Sequence, residues 1–177
     1  MTKLLVLGLL KKEPLSGYDI QTMLAMSDAE SWGGVLVGSI YHALKTLDKD
    51  GYIEIASIEQ TGHRQKAIYR ITDTGIEHLN SLILEALQTS SVSYPTALYS
   101  GLNFMNYISV EQCTHALELQ KKELEKEINK LHEGLTAKKE FMNEDIPQIS
   151  KLAFENMFSI VQQQLNFIDK VIQLLNN

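Results

Sequence analysis

The sequence predicts a mainly α-helical protein with one small β-hairpin. Apolar residues recur at helical spacing over 40–47, and two short strand patterns, 52–58 and 66–71, follow that helix directly. Beyond the hairpin the chain carries helical patterns. A helix followed at once by a two-stranded hairpin is the order of a winged helix-turn-helix. We therefore predict a winged-helix DNA-binding domain at 1–88 and a helical dimerisation domain at 89–177.

Length and composition are those of an ordinary globular protein. The chain has 177 residues, of which 44% are apolar, and no apolar run approaches the roughly 20 residues that a membrane span needs. The N-terminus lacks a convincing signal-peptide cleavage site, so we predict a cytoplasmic protein without membrane contact. Cys113 is the single cysteine, which leaves no internal disulfide and no cysteine-based zinc cluster. We expect Cys113 to be a small buried hydrophobe and expect no cofactor.

Two helices are predicted before the helix at 40–47. The first, at 2–12, is apolar nearly all round and is expected to be buried. Ser16 is expected to cap the second, with Asp19 at the capping-box position in place of glutamate. A polar, glycine-containing loop is predicted for 27–37. We interpret its Trp32 as a packing anchor rather than as a ligand platform.

The third helix has two faces of different chemistry. Its apolar residues lie on one side, and Tyr41, His42 and Lys45 lie outside that side. Ser39 is predicted to be the N-cap, where its hydroxyl and the free backbone donors behind it suit a phosphate oxygen. Residues 39–47 include no acidic side chain. We therefore expect the N-terminal half of this helix to enter the major groove of DNA.

The hairpin that follows is basic. Residues 60–72 contain His63, Arg64, Lys66 and Arg70 but no aspartate or glutamate. Such cations suit a phosphate backbone or a minor groove, because they displace the counterions condensed on DNA. Alternatively, the charges only protect the exposed edge of a two-stranded sheet. The neighbouring helix favours DNA.

The net charge of −6 is divided evenly along the chain. Residues 1–85 and 86–177 each carry 8 basic and 11 acidic side chains. Because non-specific affinity for DNA comes almost wholly from phosphate neutralisation, such a protein should bind weakly outside its own site. That suits a regulator better than a packaging protein. The acidic balance also supports an alternative function, a winged-helix protein-interaction module that does not read DNA.

A fourth helix is predicted after the hairpin, with Thr72 as its N-cap and a buried stripe that includes Ile83 and Leu87. The segment 89–95 breaks the periodicity and marks the domain boundary. A capping box at Ser109 then opens a long charged helix with a narrow heptad-like seam.

The last helix, at about 146–175, has a broad apolar face. Two long helices cannot bury that much apolar surface alone, so we expect part of it to face a second subunit. An intramolecular bundle without a dimer is the alternative. The residues predicted to form the dimer are Leu124, Leu131, Ile160, Leu165, Ile168, Ile172 and Leu175.

Four segments carry a family resemblance. They are LLVLGLL at 4–10, LSGYDI at 15–20, GSIYHALKTLDKDGYI at 38–53 and YRITDTG at 69–75. In this order the chain resembles the PadR family of bacterial winged-helix transcriptional regulators. The second half is similar in length to that of members with a long helical C-terminal dimerisation domain.

The resemblance implies a homodimeric, sequence-specific DNA-binding regulator, a repressor, on a palindromic double-stranded operator. The family's Gly-Ser/Thr-Leu/Ile-Tyr pattern makes Ser39 and Tyr41 the expected contacts, whereas the next position, often proline in the family, is His42 here. The family's basic wing position falls on Arg64 and Lys66. Some members release DNA on binding phenolic acids or hydrophobic drugs. No residue set in this sequence identifies such an effector, which stays an open alternative.

An enzyme has little support from the residues. The five histidines have no metal-ligand spacing, and no glycine-rich phosphate-binding loop is present. Cys113 and His115 are two residues apart in a helical pattern, so their side chains do not face each other.

Overall fold

The computed structural model describes residues 1–26, 29–61, 64–90, 92–143 and 145–176, and it describes the backbone alone at Ser31, Trp32, Thr61, Arg64 and Phe141. The chain divides into two compact units, Met1–Ser91 and Val92–Asn177. Helices dominate both, and the described strands lie in the first, which confirms the predicted fold class. None of the described helices combines the length and apolar character that crossing a membrane would require.

The N-terminal unit contains five helices and three strands among its described residues. They are α1 (Thr2–Leu10), β1 (Leu15–Ser16), α2 (Gly17–Met26), α3 (Ala29–Gly33), α4 (Val37–Lys49), β2 (Ile53–Thr61), β3 (Arg64–Ile71) and α5 (Asp73–Gln88). The sheet is antiparallel in the order β1-β3-β2. The sequence predicted the hairpin β2-β3 but not β1, because two residues are too short for a period-two pattern.

The predicted loop at 27–37 is wrong in part, because α3 lies within it. Ala29 and Val35 are buried in the core at the two ends of this segment. Gly34 has a φ of +59°, and the N–H of Val35 donates to the carbonyl of Ala29 at 3.2 Å. Burial and this glycine-assisted closure hold a helix that is too short to be stable by itself. The side chain of Trp32 lies outside the described part of the chain.

The core of this unit joins the apolar faces of α1, α2 and α4. Its buried members are Val6, Leu7, Leu10, Leu15, Ile20, Leu24, Ala29, Val35, Ile40, Ala43, Leu44, Leu47, Ile53 and Leu79. The predicted apolar face of α4 is thus buried throughout. In α5 the prediction for Ile83 and Leu87 is wrong, since both are exposed. Leu79 is the last buried residue of α5, and the helix then extends beyond the core, so that Ile83 and Leu87 are left exposed.

The first turn of α5 packs directly on the backbone ahead of β2. Thr72 is its N-cap, as predicted, and its side chain accepts from the N–H of Gly75 at 3.1 Å. The N–H of Thr72 donates to the carbonyl of Tyr52 at 3.1 Å. A Cβ atom at Gly75 would lie 1.9 Å from that carbonyl oxygen. Close backbone packing therefore requires glycine here.

The second unit is a helical hairpin preceded by a short helical segment. Its elements are α6 (Thr96–Asn103), a 3₁₀ turn (Met105–Tyr107), α7 (Val110–Phe141) and α8 (Gln148–Leu175). Ser109 and Gln112 form the predicted capping box. Lys121 pairs with Asp169, and the ring of His132 packs on that of Phe158, so α7 and α8 run antiparallel.

Few apolar side chains of this unit are fully enclosed. The buried ones among the described residues are Cys113, Leu117, Ile146, Leu165 and Ile168. Cys113 is buried as predicted, and its thiol donates to the carbonyl of Met105. Leu165 and Ile168 had been predicted to contact a second subunit. That prediction is corrected, because the chain itself already encloses both side chains.

Candidate nucleic-acid interface

The face of α4 opposite the core carries the polar residues that the sequence predicted. Tyr41 is 48% exposed, and His42 and Lys45 are exposed as well. Ile40 and Leu44 alternate with them on the buried side. Because the buried face fixes the rotation of the helix, the three polar side chains point away from the core together.

Ser39 does not cap α4. The helix begins at Val37, with Leu36 in extended conformation at the N-cap, and no side chain caps it. The Ser39 hydroxyl donates instead to the carbonyl of Leu36 at 2.6 Å, and the hydroxyl of Thr2 lies 3.4 Å away. The helix starts three residues earlier than local cap preference predicted. The uncapped end still suits an anion, but Ser39 could donate to a phosphate only by leaving Leu36.

Gly17 sets the position of the Tyr41 ring. A Cβ atom at Gly17 would lie 2.8 Å from Cε1 of Tyr41 and 3.1 Å from Cδ1 of Leu44. The ring therefore rests on the first turn of α2, and only a residue without a side chain admits it there. Sequence reasoning missed this contact, because it joins two motifs that are far apart along the chain.

A groove of about 730 Å³ separates α4 from β3, with the start of α2 at one end. Its polar lining includes Tyr18, Tyr41, Lys45, Asp48, Gln65 and Lys66. Tyr18, which sequence reasoning left without a role, is 66% exposed beside Tyr41. The groove thus offers aromatic rings, cations, an amide and the carboxylate of Asp48 on one surface.

The described cations of β3 are already ion-paired within the chain. The Lys66 ammonium lies 3.0 Å from a carboxylate oxygen of Asp19 on α2. The Arg70 guanidinium lies 2.8 Å from Glu54, which stands directly opposite it in the β2-β3 register. The stretch 60–72 contains no acidic residue, but acidic side chains from other parts of the chain contact its cations in the folded structure. His63 and the side chain of Arg64 lie outside the described residues.

Asp19 is held by the predicted capping box. Its carboxylate accepts from the backbone N–H of Ser16 at 3.1 Å and from the Ser16 hydroxyl at 2.7 Å, while its own N–H donates back to that hydroxyl. The hydroxyl bond lowers the pKa of Asp19 most, burial opposes it, and Lys66 lowers the pKa further. Asp19 is therefore ionised at neutral pH.

The described residues contain no cluster of histidine, cysteine, aspartate or glutamate able to hold a metal ion. The comparisons with known proteins give a family match over the part of the chain that contains α4. Residues 6–81 match the model of the transcriptional regulator PadR-like family, which confirms the resemblance predicted from the sequence.

One curated relative is the negative transcriptional regulator PadR of Bacillus subtilis (strain 168). It is 33% identical over 82 residues, which cover 46% of this chain and 44% of that protein. The matched sequence thus spans less than half the length of the relative.

Solved structures extend the likeness to the whole fold. Bacillus subtilis PadR in complex with operator DNA has a TM-score of 0.74 at 18% identity, covering 98% of this chain and 96% of that chain. The same protein in complex with p-coumaric acid has a TM-score of 0.74 at 17% identity, covering 99% and 95%. The virulence activator AphA of Vibrio cholerae has a TM-score of 0.71 at 18% identity, covering 99% and 98%. At these identities the likeness shows the fold alone.

Proposed function

We propose that this chain, whose residues 6–81 belong to the PadR-like family of transcriptional regulators, binds DNA sequence-specifically as a homodimer and represses transcription. One observation carries the proposal. The outward face of α4 presents Tyr41, His42 and Lys45 beside the groove that leads to the wing, the hairpin β2-β3. A helix exposed in this way fits the major groove of DNA, and a neighbouring hairpin reaches the flanking backbone.

The proposed contacts divide by chemistry. Tyr41 and His42 read base edges, since a phenol and an imidazole each offer hydrogen-bonding groups. Lys45, with the uncapped end of α4 near Ser39, neutralises phosphates. At the wing, Arg64 and His63 were predicted to contact the backbone, and they keep that role in the proposal. Lys66 was predicted to share it, but it is already paired with Asp19.

The helical unit is proposed as the dimerisation domain, corresponding to 89–177, and the winged helix at 1–88 as the DNA-binding domain. One side of α8 exposes Ile149, Leu152, Ile160 and Leu174. Such a stripe on a long helix calls for a partner helix. The half-buried Leu124, Leu131, Ile172 and Leu175 stay in the proposed interface beside Ile160. A two-fold dimer reads two half-sites, so the operator is a palindrome.

Repression is proposed because the relative with 33% identity is itself a negative regulator. AphA, which is similar in fold, is a virulence activator, so the sign must be measured on the regulated promoter. A protein of this function works in the bacterial cytoplasm, where the DNA is. A reporter fused to the chain's own upstream DNA should rise when its gene is deleted, and a fall would mean activation.

A phenolic or small hydrophobic effector is the proposed means of release. Bacillus subtilis PadR has been solved with p-coumaric acid. In the helical unit of this chain, an apolar cavity of about 170 Å³ lies between α6 and α7. Leu102, Met105 and Leu117 line it, and Gln120 adds a polar group. Titrating p-coumaric acid into the protein–DNA complex should release the DNA, and retention at saturating ligand would exclude this effector.

The central test is footprinting of the purified protein on the DNA upstream of its own gene. We expect protection with two-fold symmetry. If the dimer makes on the order of 6 to 10 phosphate contacts, affinity should fall about 10³- to 10⁵-fold between 50 and 200 mM salt. The wing ion pairs favour the alternative, a protein-interaction module. Absence of binding to any duplex at low salt would establish that alternative over ours.

A further inference from the structure

The Asp19–Lys66 ion pair bridges α2 and the wing strand β3. The ammonium lies 3.2 Å from Oδ1 and 3.0 Å from Oδ2 of the carboxylate, so it contacts both oxygens. The two side chains are 35% and 33% exposed, whereas those of Glu54 and Arg70 are 51% and 59% exposed. Lys66 is therefore less open to solvent than Arg70, the other described ion-paired cation of β3.

The position of the Asp19 carboxylate does not depend on Lys66. Its two bonds from Ser16 belong to the capping box of α2, and they orient the carboxylate before any cation approaches. In the register of the hairpin, Glu59 is the residue opposite Lys66. The lysine nevertheless reaches across to α2. The fixed carboxylate therefore determines where this ammonium points.

The pair also lies on the surface that meets DNA in the proposed function. Lys66 lines the same groove as Tyr18, Tyr41 and Lys45. We propose that Asp19 is a specificity-determining residue, which withholds Lys66 from phosphates and so lowers the sequence-independent affinity for DNA. The inference rests on the proposed function, since it assumes that this groove faces the duplex.

The withheld charge affects the two modes of binding unequally. Non-specific binding recruits any available cation, because it consists of counterion release at phosphates. Operator binding is held in one register by the base contacts of α4, so an extra cation adds a contact only where that register places a phosphate. Masking Lys66 therefore weakens the non-specific mode more, and the ratio of operator to non-specific affinity rises.

Asp19→Asn is the decisive variant, because asparagine keeps the shape and the cap but loses the charge. Binding to a short mixed-sequence duplex is measured by fluorescence anisotropy over a salt series. One additional phosphate contact should steepen the slope of log affinity against log salt by about 0.9, which is about an 8-fold gain at roughly 0.1 M salt. On the footprinted operator duplex the gain should be smaller. An equal gain on both duplexes, or no gain, would overturn the inference.

Two variants identify the cation. Lys66→Gln alone should leave the salt slope unchanged, because Lys66 does not contact phosphate while Asp19 is present. A slope lower by about 0.9 would show that Lys66 binds phosphate after all. The double variant of Asp19→Asn with Lys66→Gln should return to the wild-type slope. A double variant that stayed steep would mean that a different cation had been released.

Glu77→Gln on α5 is the charge-matched control. Glu77 is exposed, lies outside the groove lining and loses the same single charge. Its slope should equal that of the wild type, and a steepening equal to that of Asp19→Asn would assign the effect to net charge. Failure of wild type to bind either duplex would refute the proposed function, whereas binding with an unchanged Asp19→Asn slope would refute only this inference.

Discussion

The two units of the chain bury their apolar residues very differently. In the N-terminal unit Leu7 and Leu47 are completely enclosed. In the helical unit Ile168 is enclosed, but Ile160 and Leu174 are 62% and 72% exposed. Among the described residues, the first unit thus encloses a core of 14 buried apolar side chains, whereas the second encloses only five.

Geometry explains the difference. Helices and a sheet that cross one another enclose side chains from several directions, whereas two antiparallel helices can enclose only the seam between them. The stability of the N-terminal unit should therefore not depend on protein concentration. That of the helical unit should rise with concentration, as in a dimer whose folding and association are linked.

The largest expected effect separates the two units. Gly75→Ala would place a Cβ atom 1.9 Å from the Tyr52 carbonyl oxygen, where neither backbone can yield. We expect a loss of more than about 4 kcal/mol of stability in the N-terminal unit. Calorimetry should show this loss, and DNA binding should disappear, while sedimentation still reports a dimer.

Gly101→Ala in α6 is the matched control, since its Cβ would meet nothing within 4 Å. Alanine should stabilise this helix by about 0.5 to 1 kcal/mol. Loss of the dimer in Gly75→Ala would contradict the independence of the two units.

The next effect tests what covers α8. Ile160→Glu places a charge in the middle of the exposed stripe, where a partner helix would bury it without a counter-ion. We expect the dissociation constant of the dimer to rise at least about 100-fold, or about 2.7 kcal/mol. Sedimentation equilibrium measures it.

Gln162→Glu serves as the comparison, because an exposed position two residues later lies about 200° further around α8, away from the stripe. It should leave the dimer intact. A dimer in Ile160→Glu as tight as that of the wild type would place the interface elsewhere.

A smaller effect concerns α4. Gly17→Ala should push the Tyr41 ring off α2, because the added Cβ would lie 2.8 Å from the ring. The ring is the end of a flexible side chain, so we expect folding to survive. Discrimination between operator and mixed-sequence DNA should fall by about 1 to 2 kcal/mol, roughly 5- to 30-fold.

Competition binding with the two duplexes gives that ratio. Gly8→Ala in α1, whose Cβ would meet nothing within 4 Å, is the control and should keep it. If the ratio of operator to mixed-sequence affinity were unchanged in Gly17→Ala, Tyr41 would not be one of the base contacts.

The smallest expected effect concerns the stability that an ion pair within the helical unit contributes. The hydrogen bond to Asp169 raises the pKa of Lys121 above its ordinary value of 10.5. A raised pKa in the folded state means that the pair stabilises the fold below pH 10.5 and loses this contribution as pH rises through the folded value. Lys121→Met should therefore lower Tm slightly at neutral pH, with a difference that vanishes in strong alkali.

Lys122→Met, at the exposed neighbouring position, should have less effect at neutral pH. If the two variants were equal at every pH, the pair with Asp169 would contribute nothing, as many surface pairs do.

Several features of the site could be predicted from local patterns, and others could not. The polar face of α4 follows from its apolar spacing, and the capping boxes at Ser16 and Ser109 follow from short-range hydrogen bonding. The N-cap prediction at Ser39 was wrong, because cap preference alone did not locate the start of the helix at Val37. The sequence overestimated the basic character of the wing, because Asp19, which pairs with Lys66, lies 47 residues before it and no local pattern connects the two.

Local patterns predicted the fold class, the two faces of α4 and the resemblance to the PadR-like family, because periodicity, caps and motifs are properties of neighbouring residues. Three other features became visible only in the fold: Lys66 is paired with Asp19, the Tyr41 ring packs on Gly17, and Ile168 is enclosed while Ile160 is not. Ion pairing, close packing and burial depend on residues distant along the chain, and folding alone brings those together.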